Sequence, residues 1–267
     1  MDNQAEERRN VVMSLQKEVF GLHEKYSKSM TVATKGNPKD LVTNADRAIE
    51  KLIVEKITKN FPNDKIVGEE YGISSKGTNG FVWYIDPIDG TLNFVQGFNN
   101  YGTSIGLVSD GEIVFGAIFS AEDNNTYWAA KGKGAYCNKK RINVSKKDKL
   151  SDFCIQFDLQ YNSDAANKTF DTLKKIYPKI RAFRHTGCCV CDLIKVATGK
   201  ADVYWAQEFL KPHDFCAGAI IVKEAGGFVS HEDAEKFITP EQGSLFATNG
   251  KLHKEIVNMV LKEYSKK

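Results

Sequence analysis

The chain has 267 residues, 42% of them apolar and 27% charged, with a net charge of +3, which is ordinary globular usage rather than that of a low-complexity protein. No apolar run reaches the roughly 20 residues of a membrane-spanning helix, and so small a basic surplus demands no nucleic acid partner. The polar start MDNQAEERRN, with no apolar segment behind it, does not read as an export signal and places the protein in the cytoplasm. Six cysteines, three of them in GCCVC, suit packed thiols better than a disulfide framework or a zinc site.

In chain order, VVMSLQKEVFGL carries Val12, Leu15, Val19 and Leu22 at helical spacing, and DRAIEKLIVEKITKNF repeats the pattern with Ile49, Leu52, Ile53 and Ile57. Between them TKGNPKDLVTN, with Gly36 and Pro38, predicts a loop or hairpin. After Pro62 the pattern turns to strands in KIVGEE, FVWYID, TSIGLVS and EIVFGAIFS, the last two joined by the hairpin pair Asp110-Gly111. NTYWAAKGKGAYCNKKRINVS adds short strands, and SDFCIQFD opens a second half with another. Helices are expected around 166–176 and 191–197, a strand at ADVYWA, a glycine-closed helix at HDFCAGAIIVKEAGG and a last amphipathic helix at KLHKEIVNMVLKEY. The blocks of strand and helix predict one domain over 1–267, made of halves of about 1–150 and 151–267 that pack closely around a cleft.

The segment WYIDPIDGTLNF brings Asp86 to the end of an apolar strand, with Asp89 three residues on in a turn stiffened by Pro87. Asp89 alone could be a helix cap. Two close carboxylates repel unless a proton or a cation sits between them, and all-oxygen ligands suit Mg²⁺. Gly90 and Thr91, at a helix start, offer backbone N–H groups to an anion. A haloacid-dehalogenase-type motif, D-x-D-G-T, is the other phosphatase pattern to weigh. Here the spacing is D-x-x-D-G-T, and the added residue turns the second acid away from the arrangement that covalent chemistry needs.

WYIDPIDGTLNF, together with DLVTNAD at 40–46, VGEE at 67–70 and LKPHDFCAGAIIVKEAGG at 210–227, resembles the blocks of the inositol monophosphatase family, in the same order and over nearly the whole chain. The resemblance implies a layered αβαβα sandwich of the sugar phosphatase type, an α/β fold, with two or three Mg²⁺ ions (Mn²⁺ can substitute). One ion would take Glu69, Asp86 and the carbonyl of Ile88. A second would share Asp86 and add Asp89 and Asp214. Asp46, Glu69 and Thr91 become catalytic, Asp46 and Thr91 orienting the attacking water. Asp89, Gly90, Thr91, Gly187, Cys188, Cys189, Gln207 and Asp214 become substrate contacts. Glu70 is expected to be a solvated loop acid. A homodimer, lithium sensitivity and no membrane partner are also implied.

The chain departs from that family at His213, where Trp is usual, at Cys188-Cys189, in place of a hydroxyl residue and Ala, and at Gln207, in place of Glu, with Glu208 beside it. His213 is expected to pack as Trp would, and either Gln207 or Glu208 to face the substrate. The implied reaction is Mg²⁺-dependent hydrolysis of small phosphate monoesters, with inositol-1-phosphate first. The alternatives are the 2′-phosphate of NADP, fructose-1,6-bisphosphate or 3′-phosphoadenosine compounds, and, from a different class, a non-catalytic regulatory or RNA-associated homologue.

Overall fold

A computed structural model describes residues 3–265, except for the side chains of Asn3 and Glu208. The first apolar stripe forms two helices, α1 (Asn3–Ser14) and α2 (Gln16–Ser27), rather than one, broken at Leu15. Val12, Leu15 and Val19 still share one buried cluster, so the break redirects the chain without moving the stripe off the core. The hairpin β1 (Val32–Thr34) and β2 (Leu41–Thr43) leads into α3 (Asn44–Asn60). Thr43 caps α3, and Asp46, in its first turn, closes a capping box.

An eight-stranded sheet follows, built from β3 (Lys65–Gly68), β4 (Ile73–Lys76), β5 (Phe81–Asp89), β6 (Gly102–Ser109), β7 (Glu112–Ser120), β8 (Asn125–Ala130), β9 (Gly134–Cys137) and β10 (Lys140–Ile142). Its order is β10-β9-β8-β7-β6-β5-β3-β4, antiparallel except for the β3/β5 pair. The short helix α4 (Thr91–Gln96) leaves the end of β5. A second sheet, β12-β11-β13-β15-β14, uses β11 (Cys154–Phe157), β12 (Ala182–Arg184), β13 (Val203–Leu210), β14 (Phe228–Ser230) and β15 (Gly243–Thr248). Its helices are α5 (Ser163–Ile176), α6 (Cys189–Ala197), α7 (Pro212–Glu224) and α8 (His253–Tyr264).

The fold is mixed α/β, in five layers. Helices α1 to α3 pack on the outer face of the large sheet. Helices α6 and α7 lie between the sheets, and α5 and α8 cover the far face of the small one. Because α7 is enclosed on both sides, it is apolar almost all round, with Phe215, Ala217, Ile220, Ile221 and Val222 all inaccessible to solvent. Two glycines set its distance from the large sheet. A Cβ at Gly106 would stand 2.7 Å from Cβ of Cys216, and one at Gly116 2.5 Å from Cα of Ala217. Their bare backbone lets α7 lie directly on β6 and β7, and this fixes Asp214, in its first turn, relative to the end of β5.

Candidate active site

A cleft of about 420 Å³ opens where β5 ends, between the two sheets, and its lining includes Glu69, Asp86, Ile88, Asp89, Gly90, Thr91 and Asp214. Asp86 is carried in by the buried strand β5, whose pairing with β6 is interrupted by an irregularity between Asp86 and Asp89. That irregularity turns both acids toward the cleft instead of to opposite faces of a regular strand. Gly90 follows with φ of +87°. A Cβ there would meet the Asn100 carbonyl at 2.8 Å, so both the left-handed backbone and the crowding require glycine.

Each acid has its own neighbours. Asp89 Oδ2 accepts from the Val190 N–H at 2.6 Å and from Cys188 Sγ at 3.2 Å. Asp214 Oδ2 accepts from the Lys211 N–H at 2.6 Å, as the third helical residue of α7 rather than its cap. Glu69 is in hydrogen-bond contact with Asp86 and meets Lys35 Nζ at 2.8 Å. Asp46 Oδ2 accepts from the N–H and the hydroxyl of Thr43, at 2.8 and 2.6 Å. The Thr91 hydroxyl donates to the Ile88 carbonyl at 2.9 Å and lies 3.4 Å from Asp46 Oδ1.

Burial, then mutual repulsion, lifts the carboxyls of Asp86 and Asp89 well above the ordinary range. Burial pushes Asp214 up to about 7. Burial opposes the charge on Glu69 as well, but Lys35 beside it holds its pKa below the usual carboxylate value. Asp86 Oδ1 is buried with no hydrogen-bond partner among the described residues, an arrangement that is costly unless something else satisfies it. Among the described residues no three His, Cys, Asp or Glu side chains stand at metal-holding spacing. Asp89 is drawn to α6, Asp214 to Lys211 and Glu69 to Lys35. In kind, the donors fit a hard divalent cation: carboxylate oxygens, one of them orphaned, with the Ile88 carbonyl beside them.

A family model described as "Inositol monophosphatase family" matches residues 4–265. This chain belongs to the inositol monophosphatase family. It is a phosphatase of that family, 34% identical over 229 residues to Inositol-1-monophosphatase of Bacillus subtilis, covering 85% of this chain and 86% of that one. It is 36% identical over 222 residues to Fructose-1,6-bisphosphatase/inositol-1-monophosphatase of Thermotoga maritima, covering 83% of each. Among solved structures, an IMPase of Thermotoga maritima superposes with a TM-score of 0.86 at 32% identity, covering 96% of this chain and 98% of that one.

Within this inositol monophosphatase fold the expected residues divide into two groups. Glu69, Asp86, Ile88, Asp89, Gly90, Thr91, Gly187, Cys189 and Asp214 line the cleft, and Asp46 reaches it through Thr91. Gln207 does not line it. That side chain is buried, receiving the Trp205 indole N–H at 3.0 Å and giving its own N–H groups to Glu232 at 2.8 Å and Ser244 at 3.0 Å, because an amide can satisfy every bond inward. The Glu208 side chain lies outside the described residues. Cys188 is also behind the lining, its thiol turned onto Asp89 instead of toward substrate. Glu70 is not a solvated loop acid. It meets Lys35 Nζ at 2.5 Å with its side chain 7% exposed, and burial raises it to about 7. His213 packs as expected but still touches the cleft. Burial lowers it to about 4, so the ring 3.4 Å from Asp214 Oδ1 is neutral.

Lys35 was not among the expected residues, and neither were Asp158 and His185 in the cleft wall. A signal for Asp158 was available: like Asp86, it follows an apolar strand, FCIQF, at its carboxyl end.

Proposed function

We propose that the chain hydrolyses small phosphate monoesters with Mg²⁺, inositol-1-phosphate foremost, and that Glu69, Asp86, Ile88, Asp89 and Asp214 hold the metal. The observation that carries this reading is the orphaned, buried Asp86 Oδ1 amid three other acids, two of which burial and repulsion also push up. When bound, Mg²⁺ supplies positive charge and a more acidic water. The chain's own part is positioning. The Thr91 hydroxyl, set between Asp46 Oδ1 and the Ile88 carbonyl, orients the attacking water, and Asp46 keeps that hydroxyl in place from a charge-dense helix start. The N–H groups of Gly90 and Thr91 steady the phosphoryl oxygens. Cys189 and Gly187 contribute wall rather than strong hydrogen bonds.

A second reading, fructose-1,6-bisphosphate as substrate, is favoured by the Thermotoga maritima relative whose name carries both activities. Four further features are proposed from kinship: a homodimer, a cytoplasmic location, inhibition by Li⁺, and Mn²⁺ as a substitute metal. The deciding experiment is phosphate release from a panel of monoesters with and without Mg²⁺. Release from inositol-1-phosphate that stops on chelation is expected. Full turnover in excess chelator would end the metal reading, and release from the bisphosphate alone would move the assignment to the second.

A further inference from the structure

The cleft wall facing the metal acids is built by the end of β11 and the segment that enters α6. Asp158 stands there immediately after β11. Its Oδ2 accepts from Tyr204 Oη at 3.0 Å, and its own N–H donates to the Trp205 carbonyl at 3.0 Å, so its position is set by the small sheet. His185 lies beside it, Nδ1 being 3.5 Å from Asp158 Oδ1. The imidazole stacks on Phe157, with centroids 5.3 Å apart and planes at 25°. Its Nδ1 donates to the Phe157 carbonyl at 2.9 Å. With Nδ1–H committed to backbone, Nε2 of the neutral ring is an acceptor. Both side chains line the same cleft as Asp86, Asp89 and Asp214.

Neither group is used at the phosphate end. Both are fixed before any ligand arrives, Asp158 by Tyr204 and His185 by Phe157, and both present acceptors to the cleft. Their complement is a pair of donors on an uncharged molecule. A second phosphate or a carboxylate would meet the Asp158 charge at short range. Gln207, in the position where the family resemblance expects a hydroxyl contact, is spent on Trp205, Glu232 and Ser244.

We infer that Asp158 and His185 read the leaving group, taking hydrogen bonds from neighbouring hydroxyls of an uncharged polyol. This rests on the phosphatase reading above and names the residues that select its substrate. Asp158 and His185 are specificity residues, and neither takes part in bond breaking.

The test compares wild type with Asp158→Asn and His185→Phe, with Mg²⁺, on inositol-1-phosphate, on p-nitrophenyl phosphate, whose leaving group has no second hydroxyl, and on fructose-1,6-bisphosphate. Since a site built to bond hydroxyls loses them sharply when a partner is removed, each variant should lose about tenfold or more in kcat/KM on inositol-1-phosphate, chiefly through KM, and less than about twofold on p-nitrophenyl phosphate. Asp158→Asn should shift the ratio toward the bisphosphate. Equal losses on the polyol and aryl esters, or none on either, overturn the inference. His185 is exposed, so its variant keeps the test valid should Asp158→Asn fold poorly. If wild type hydrolyses no ester, the phosphatase reading falls by itself. Ligand-observed NMR with myo-inositol then tests the pair directly: binding that both variants abolish sustains it, and binding unchanged in both overturns it.

Discussion

The backbone N–H of Val190 donates to Asp89 Oδ2 at 2.6 Å, tying the first turn of α6 to the end of β5. Cys188 Sγ uses the same oxygen. Asp89 is therefore both a clasp between α6 and the large sheet and one of the acids whose charge the site must accommodate.

Asp89→Asn separates those roles, because the amide oxygen can still accept from Val190 while the charge is gone. With metal removed, the thermal midpoint should stay level or rise, since repulsion among raised acids is relieved. Mg²⁺-dependent turnover should fall by roughly 10²-fold or more. Calorimetry and a phosphate-release assay read the two effects. Substantial turnover at saturating Mg²⁺ would remove Asp89 from the metal set.

Cys188→Ala deletes the thiol that steadies Asp89, whereas Cys188→Ser keeps a donor there. The alanine variant should bind Mg²⁺ about tenfold more weakly, as expected for loss of a partner behind a ligand, and serine should restore most of the affinity. Titration calorimetry would show it. Equal affinities in all three proteins would mean that the thiol only fills space.

Acid crowding also predicts how metal and pH act together. Asp214 is raised to about 7, and Asp86 and Asp89 are likewise raised well above their usual range. A carboxyl with a raised folded-state pKa binds protons more tightly in the native protein than in the unfolded chain. Its contribution is complete below about 4 and fades as pH rises through the folded value. Without metal, this group of acids should lower stability between about pH 4 and pH 8. Saturating Mg²⁺ should raise the midpoint by roughly 5–10 °C, and by more at pH 8 than at pH 5.5. A midpoint that ignores Mg²⁺ at both pH values would count against metal binding.

Away from the cleft, Arg8 makes a two-pronged pair with Asp64, at 2.8 and 2.6 Å, and its guanidinium lies 3.7 Å from the Phe81 ring centre. Both residues are buried. Among the described residues, Arg8→Ala leaves Asp64 with Asn79 and Trp83 as its side-chain donors and should cost about 3–5 kcal/mol. The expected result is a midpoint lower by roughly 10 °C with kcat unchanged at low temperature. Arg8→Lys should recover little, having lost the fork.

The acids and their turn were legible because the chemistry of Asp86, Asp89 and Asp214 is written in local spacing and strand-end position. The αβαβα layering could be expected from the resemblance and is present. Other features were hidden for a common reason: they depend on which distant group a flexible or adaptable side chain finds. Cys188 finds Asp89, Gln207 turns to Glu232 and Ser244, and Lys35 bridges Glu69 and Glu70. None of these pairings leaves a periodic trace. The break at Leu15 was illegible for another reason, since the apolar spacing continues through it and only the packing against α3 and β7 decides where the chain bends.

The hairpin β1–β2 touches both shores of the cleft. Lys35 reaches Glu69 and Glu70 on the large-sheet side, and Lys39 Nζ meets the Tyr161 carbonyl at 3.3 Å on the other. A three-residue ladder whose first strand is exposed throughout has little on that side to hold it shut. Amide exchange along residues 32–40 thus becomes a gauge of occupancy: any cation that takes over Glu69 leaves Lys35 with Glu70 alone, and the hairpin's protection registers the handover without a substrate being turned over.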